Sequence, residues 1–118
     1  MKIGNFDLNK DGVYIIAELS ANHNGSLQTA LDTIKAAKDI GANAIKLQTY
    51  RADTITLNSK NEDFLIGGGT LWDGKNLYEL YEEAYTPWEW HKELFDYARS
   101  INIDIFSTPF DKSAVDFL

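Results

Sequence analysis

The run Val13-Tyr14-Ile15-Ile16-Ala17, which opens a predicted strand over residues 13–19, decides the fold class, because an apolar run without alternation is typical of a strand buried on both faces of a parallel sheet. Ser26 then stands where its side chain can cap a helix, and apolar residues recur at helical spacing as far as Ile40. Gly41 follows at the position that favours a left-handed cap. A second apolar strand over residues 42–50 completes a β-α-β unit.

The rest of the chain repeats this alternation. A short strand and a turn over residues 1–12 predict a β-hairpin ahead of the first long strand. A long connection over residues 51–75 leads to a helix over 76–85. Thr86-Pro87-Trp88-Glu89 then offers an N-cap, a proline at the first helical position and a capping-box glutamate for the next helix. A third strand over residues 103–107 and the start of a further helix at Asp111 predict an α/β protein with a parallel sheet.

Composition excludes several classes of function. The 118 residues include 11 Lys and Arg against 18 Asp and Glu, for a net charge of −7, which disfavours nucleic-acid binding. With no cysteine, the chain offers neither a disulfide framework nor a thiol nucleophile. No apolar run is long enough to cross a membrane, and no secretory signal opens the chain, so we expect a soluble cytoplasmic protein.

Two short motifs imitate ligand sites. Residues 7–18 match the calcium-loop pattern of an EF-hand, but too few residues precede them to form the entering helix. A turn over residues 9–12 is the simpler interpretation, and a calcium-binding module remains the alternative from a different functional class. Residues 69–76 approach a phosphate-binding loop, but Asn76 stands where a Ser or Thr should hold magnesium.

Polar side chains gather at the carboxyl ends of the three predicted strands. Glu18, Lys46 and Thr108 each lie in or just after an apolar strand, and the carboxyl ends of parallel strands are where β/α proteins bind their ligands. A lysine within a buried strand is unfavourable unless it meets an anion. The group suits an anionic substrate that needs proton transfer or charge stabilisation. A structural Glu18–Lys46 ion pair, a surface-reaching Lys46 and a Thr108 that merely ends its strand are the alternatives.

Together, three motifs resemble those of the sialic acid synthase family. They are Ile16 to Ser26, Ala44 to Tyr50 and Phe106 to Phe110, and the stretch from Leu71 to His91 resembles the pseudaminic acid synthase branch in particular. The resemblance spans the whole chain. It implies an eight-stranded β/α barrel, of which residues 1–118 form the N-terminal portion with about three of the eight βα units.

The resemblance also implies a reaction and site residues. Family members are transferases that condense phosphoenolpyruvate with an N-acetylated amino sugar and water, releasing phosphate. For the pseudaminic branch the sugar is a 2,4-diacetamido-2,4,6-trideoxy-altropyranose, whereas an N-acetylneuraminate or legionaminate synthase takes another amino sugar. By motif position Glu18 is the catalytic carboxylate, and the expected substrate-binding residues are Lys46, Gln48, Thr108, Phe110, Asn22 and His23.

Further parts of the family pattern have no counterpart in residues 1–118. The resemblance implies a divalent metal (Mn²⁺, Mg²⁺ or Co²⁺) bound by two histidines that come later in the barrel, so no metal ligand is expected in this sequence. It also implies the remaining strands, a C-terminal antifreeze-like domain and a homodimer. We therefore expect the 118-residue chain to be inactive alone.

Overall fold

The structure is a computed structural model that describes residues 1–70 and 72–118. Its strands and α-helices, in chain order, are β1 (Lys2–Ile3), β2 (Phe6–Asp7), β3 (Ile16–Glu18), α1 (Leu27–Asp39), β4 (Ala44–Thr49), α2 (Ala52–Ile55), α3 (Leu77–Ala84), α4 (His91–Ser100), β5 (Asp104–Pro109) and α5 (Lys112–Phe117). Two short 3₁₀ helices span Glu62–Phe64 and Trp88–Trp90. The predicted alternation of strands and helices is confirmed.

Strands β3, β4 and β5 form one parallel sheet in that order. Lys46 lies at the centre of the register, opposite Glu18 on one side and Phe106 on the other. Parallel neighbours joined through helices on one face are the repeating unit of a β/α barrel. The chain therefore has the architecture of part of such a barrel, preceded by a small antiparallel hairpin of β1 and β2.

Helix α1 begins and ends where the sequence predicts. The hydroxyl of Ser26 accepts a hydrogen bond of 3.2 Å from the backbone N–H of Thr29. At the other end Gly41 has a φ of +90°, which a residue without a Cβ adopts freely. This conformation lets Ala42 donate back to the carbonyl of Ala37, so that the chain turns directly into β4.

The core lies on one face of the sheet. Helices α1 and α4 pack there, and the fully buried side chains between them and the strands are Leu19, Ile34, Ile45, Leu47 and Leu94. Side chains of the other face alternate with these, and they remain accessible, with Ile16 45% and Phe106 39% exposed. The sheet thus buries one apolar face and presents a second face that mixes apolar and charged groups.

The first long strand is shorter than predicted. Only Ile16–Glu18 pairs with β4, and Val13 is 80% exposed, so the prediction of a strand buried on both faces over residues 13–19 is wrong. Val13 and Ile15 precede the first residue that pairs with β4, so the apolar run extends beyond the ladder, whereas Leu19 at its far end is fully buried. A turn does occupy residues 8–11, close to the predicted turn over 9–12, but the strands of the hairpin are connected by a separate turn between Ile3 and Phe6.

The two connections before β5 contain more order than the sequence predicts. Helix α2 and a 3₁₀ turn occupy the predicted loop over residues 51–75, which then closes through a bridge between Leu65 and Asn76. Thr86 does not cap the following helix: its hydroxyl is buried without a hydrogen-bond partner, and a 3₁₀ turn precedes α4. No helix in the described part of the chain is long and apolar enough to span a membrane.

Candidate active site at the strand ends

Glu18 and Lys46 form an ion pair on the accessible face of the sheet. Lys46 Nζ lies 2.7 Å from Glu18 Oε1, and their side chains are 26% and 52% exposed. The pairing follows from the register, since the two residues are direct neighbours on parallel strands. An ion pair this accessible contributes about 1 kcal/mol or less to stability.

The next row of the same face carries neutral hydrogen-bonding groups. Gln48 is opposite Thr108, and both side chains are half-buried. Strand β5 extends to Pro109, so Thr108 is part of the ladder and not the residue that terminates it. Because side chains two apart along a strand share a face, Gln48 and Thr108 stand beside the Glu18–Lys46 pair, one step nearer the carboxyl ends. The structure brings these four predicted residues together.

A cavity of about 670 Å³ opens at the carboxyl ends of β3 and β4. Its wall is formed by the loop between β3 and α1, by the end of β4 and by one side of α3. The residues that line it are Ser20, Ala21, Asn22, Asn24, Gly25, Gln48, Tyr50, Trp72, Leu80, Tyr81, Glu83 and Ala84. Amides, hydroxyls and aromatic rings dominate this wall, which suits a small polar ligand with apolar faces.

The loop that supplies one side of the cavity has an unusual backbone. Ser20 and Asn24 have φ values of +52° and +50°, in the left-handed region that residues with a Cβ seldom adopt. Strained conformations of this kind persist only where the surrounding structure holds them, and they concentrate at functional sites. Both residues line the cavity.

Asn22 and His23 occupy different positions in this loop. Asn22 lines the cavity, and its side-chain amide donates to the carbonyl of Leu19 at 3.1 Å. His23 is only 1% exposed and does not line the cavity. Its Nδ1 accepts from the N–H of Gly25 at 3.1 Å, its ring stands edge-on to Trp90, and its Nε2 has no hydrogen-bond partner. His23 therefore supports the loop from behind.

Phe110 belongs to an aromatic group next to this cavity. Its ring lies 5.3 Å from that of Tyr50, which in turn meets the ring of Tyr81 at 5.7 Å. Tyr50 is nearly buried, and burial raises the pKa of its phenol, with the neighbouring Tyr81 adding to the effect. The hydroxyl of Tyr50 is thus a neutral hydrogen-bonding group at neutral pH.

A buried polar chain lies behind the strand ends, on the core face. The hydroxyl of Thr49 is 2.7 Å from Nε2 of His91 and 2.6 Å from the hydroxyl of Ser107. Nδ1 of His91 is 3.4 Å from the carbonyl of Pro87, so we assign the proton to Nδ1 and the acceptor role to Nε2. Burial lowers the pKa of His91, so the ring stays neutral. His91 is therefore a buried residue of the core, 3% exposed.

The two motifs that imitate ligand sites take other forms. The carboxylate of Asp73 accepts hydrogen bonds from the N–H groups of Gly69 and Thr70, which a phosphate-binding loop would have to offer to phosphate. Glu18, the last residue of the calcium-loop pattern, pairs with Lys46 instead of closing that loop. Among residues 1–70 and 72–118, no three His, Cys, Asp or Glu side chains form a group able to hold a metal ion.

Three parallel βα units with charged and amide side chains at the strand ends are the architecture of a segment of a β/α barrel. The model of the NeuB family matches residues 33–118, which is more than half of the chain. The chain therefore belongs to the NeuB family.

Individual relatives agree with this family. The chain is 60% identical over 118 residues to a protein named pseudaminic acid synthase in Campylobacter jejuni, covering 100% of the chain and 34% of that relative. It is 54% identical over 104 residues to the pseudaminic acid synthase of Helicobacter pylori, covering 88% of the chain and 30% of the relative. The chain thus spans about a third of the length of these curated relatives.

A solved structure supports the fold over the full chain. The N-acetylneuraminic acid (sialic acid) synthetase of Leptospira borgpetersenii superposes with a TM-score of 0.75 at 28% identity, covering 100% of this chain and 36% of that one. The prediction that the chain is the N-terminal part of a β/α barrel of the sialic acid synthase family is confirmed.

The cavity includes residues that the sequence did not single out as site residues. They are Trp72, Tyr81 and Glu83. For Tyr81 and Glu83 the signal that could have found them is the Asn76–Glu79 capping box, which fixes the start of α3 and therefore the direction of its side chains.

Proposed function

We propose that this chain is the N-terminal part of a pseudaminic acid synthase, a transferase that condenses phosphoenolpyruvate with a 2,4-diacetamido-2,4,6-trideoxy-altropyranose and water. The observation that carries the proposal is the Glu18–Lys46 pair at the strand ends, in a chain 60% identical to a pseudaminic acid synthase. In the reaction, C3 of phosphoenolpyruvate bonds to the aldehyde carbon of the sugar. Water oxygen adds to C2, the C2–O bond breaks, and inorganic phosphate leaves.

Lys46 supplies the positive charge that an anionic enol phosphate needs. Its ammonium has three donors, and one is directed at Glu18, so others remain for a carboxylate or phosphate oxygen. The hydroxyl of Thr108 and the amide of Gln48 stand one row further along the same face and provide neutral donors. Glu18 then lies beside the bound anion, where its carboxylate can hold or move a proton during condensation.

The cavity beyond this row suits the amino sugar. In the described part of the chain its wall contains no lysine or arginine, so it offers no positive charge to a second anion. The amides of Asn22, Asn24 and Gln48 can hydrogen-bond acetamido groups, and the aromatic rings can contact apolar ring faces. The anionic and neutral substrates would thus lie side by side at the strand ends.

The divalent metal and the homodimer are also parts of the proposal. The metal (Mn²⁺, Mg²⁺ or Co²⁺) would polarise the sugar aldehyde. The residues described here do not fit it, because no three potential ligands come together, so we derive no step through it. The metal-binding histidines, the remaining barrel strands and the antifreeze-like domain are expected in the complete synthase, which the similarity suggests is about three times as long as this chain.

Other sugars define the second candidate. An N,N′-diacetyllegionaminic acid synthase of Legionella pneumophila is 38% identical over 105 residues, against 60% for the pseudaminic acid synthase, so a legionaminate or N-acetylneuraminate precursor is the weaker choice. A calcium-binding module has no support in the geometry, since Glu18 is directed at Lys46.

The test is a comparison of sugars with the complete synthase. Phosphate release from phosphoenolpyruvate is measured with the trideoxy altrose sugar, the legionaminate precursor and N-acetylmannosamine, and the products are identified by mass spectrometry. We expect the highest kcat/KM with the trideoxy altrose sugar. Preferred turnover of either other sugar would refute the substrate assignment, and no turnover with any of them would refute the function.

A further inference from the structure

Residues 65–70 and 72–76, which we name together the 65–76 hairpin, are attached to each other by backbone hydrogen bonds. Besides the Leu65–Asn76 bridge, the N–H of Ile66 donates to the carbonyl of Lys75 at 2.9 Å, and the N–H of Gly74 donates back to Ile66 at 3.1 Å. Asp73 fastens the tip, accepting from the N–H groups of Gly69 and Thr70 at 2.9 Å each. These hydrogen bonds also lower the pKa of Asp73 below its ordinary value.

One side chain of this hairpin faces the cavity at the strand ends. Trp72 lines the cavity with Gln48 and Tyr81, and its ring is 38% exposed. Lys75 Nζ lies 5.4 Å from the centre of the indole, and the same ammonium forms an ion pair with Glu83 of α3. The cation and its partner connect the indole to α3, which forms another wall of the cavity. Lys75 is neutralised by Glu83, so the hairpin adds an apolar surface to the cavity and no free charge.

We propose that Trp72 is a specificity-determining residue that selects amino sugars poor in hydroxyl groups. This inference rests on the proposed function. At C4 the 2,4-diacetamido-2,4,6-trideoxy sugar has an acetamido group where N-acetylmannosamine has a hydroxyl. At C6 it has a methyl group where N-acetylmannosamine has a hydroxymethyl group. An indole face gains from contact with methyl and C–H groups, whereas a hydroxyl buried against it loses hydrogen bonds to water. The same ring that favours the trideoxy sugar therefore disfavours the more hydroxylated one.

The position of Trp72 also predicts which kinetic constants it affects. The Glu18–Lys46 pair lies within the sheet, and Gln48, two residues further along β4, lines the cavity. Trp72 lines the cavity, whereas Glu18 and Lys46 are not among the residues that line it. A change at Trp72 should consequently alter recognition of the sugar and leave recognition of phosphoenolpyruvate unchanged.

The experiment compares Trp72→Ala, Trp72→Phe and Leu65→Ala in the complete synthase. Leu65→Ala is the matched control, because Leu65 is 46% exposed on the same hairpin and does not line the cavity. KM and kcat are measured for phosphoenolpyruvate, for the trideoxy sugar and for N-acetylmannosamine, after circular dichroism has shown that each variant is folded. Trp72→Phe keeps an aromatic ring in place and covers the case in which the alanine variant does not fold.

The preference for the trideoxy sugar is the ratio of its kcat/KM to the kcat/KM for N-acetylmannosamine. We expect Trp72→Ala to lower this ratio by about 10- to 100-fold and to leave the KM for phosphoenolpyruvate unchanged. Trp72→Phe should lose less of that ratio, and Leu65→Ala none. An unchanged ratio in Trp72→Ala, or an equal loss in Leu65→Ala, would overturn the inference while leaving the proposed function intact. A wild-type enzyme inactive with every sugar would overturn the proposed function, and the inference with it.

Discussion

Replacing Thr49 by valine should destabilise the protein solely because the hydroxyl of Thr49 is lost. Thr49 is fully buried, and valine has nearly the same shape but no oxygen. The substitution leaves Nε2 of the buried His91 and the half-buried hydroxyl of Ser107 without the partners they have at 2.7 and 2.6 Å. An unsatisfied buried polar group costs about 1–3 kcal/mol. Since Ser107 retains some access to water, we expect a total loss of about 2–4 kcal/mol in the free energy of unfolding.

The matched control is Thr49→Ser, which keeps the hydroxyl and removes one buried methyl group. Such a deletion costs about 1 kcal/mol. Urea denaturation at neutral pH, where His91 is uncharged, gives the free energy of unfolding of wild type and both variants. Thr49→Val should be the less stable variant by at least about 1 kcal/mol. If the serine variant is equally or more destabilised, the buried hydrogen-bond chain does not act as described.

Two further predictions concern pH and helix capping. Burial lowers the pKa of both His23 and His91, so the unfolded state binds more protons than the folded state as pH falls through the ordinary histidine value of 6.5. The free energy of unfolding should therefore decline below that pH. Urea denaturation at a series of pH values measures this decline, which His91→Gln should flatten. Asp111 accepts hydrogen bonds from the N–H groups of Ser113 and Ala114, so Asp111→Ala should lower the free energy of unfolding by about 1 kcal/mol, while Asp111→Asn should retain most of it.

Local signals in the sequence predicted those elements whose determinants lie within a few residues. Ser26 and Gly41 bound α1 because each satisfies backbone groups of the helix end to which it is attached. The placement of Glu18 opposite Lys46 was also predictable, since both lie in apolar strands of consecutive βα units and parallel pairing aligns their carboxyl ends.

Features that depend on distant contacts were not predictable. Thr86 has the sequence context of an N-cap, yet its hydroxyl is buried and a 3₁₀ turn replaces the first helical turn, because Trp88 and Trp90 pack against other parts of the fold. The hydrogen bond between Thr49 and His91 joins residues 42 apart in the sequence, and the one between Thr49 and Ser107 joins residues 58 apart. No local pattern indicates such a pairing.

The residues that line the cavity also divide into those predictable from local sequence and those placed by distant contacts. Asn22 and Gln48 were expected at the site from their motifs, and both line it. Trp72 enters the wall only because the 65–76 hairpin folds onto itself and joins α3 through Lys75 and Glu83. Residues brought to a site by a loop of this kind require the three-dimensional structure to be found.

The measurement that tests the central claim most directly is the dependence of phosphoenolpyruvate turnover on Lys46. Steady-state kinetics of the complete synthase are compared for wild type, Lys46→Ala and Lys35→Ala. Lys35 is the matched control, because it also forms an ion pair of 2.7 Å but lies on the exposed side of α1. Removing a cation that contacts a bound anion should lower kcat/KM for phosphoenolpyruvate by about 100-fold or more in Lys46→Ala and leave Lys35→Ala near wild type. Near-normal phosphoenolpyruvate turnover in Lys46→Ala would contradict the assignment of the strand-end pair as the substrate site.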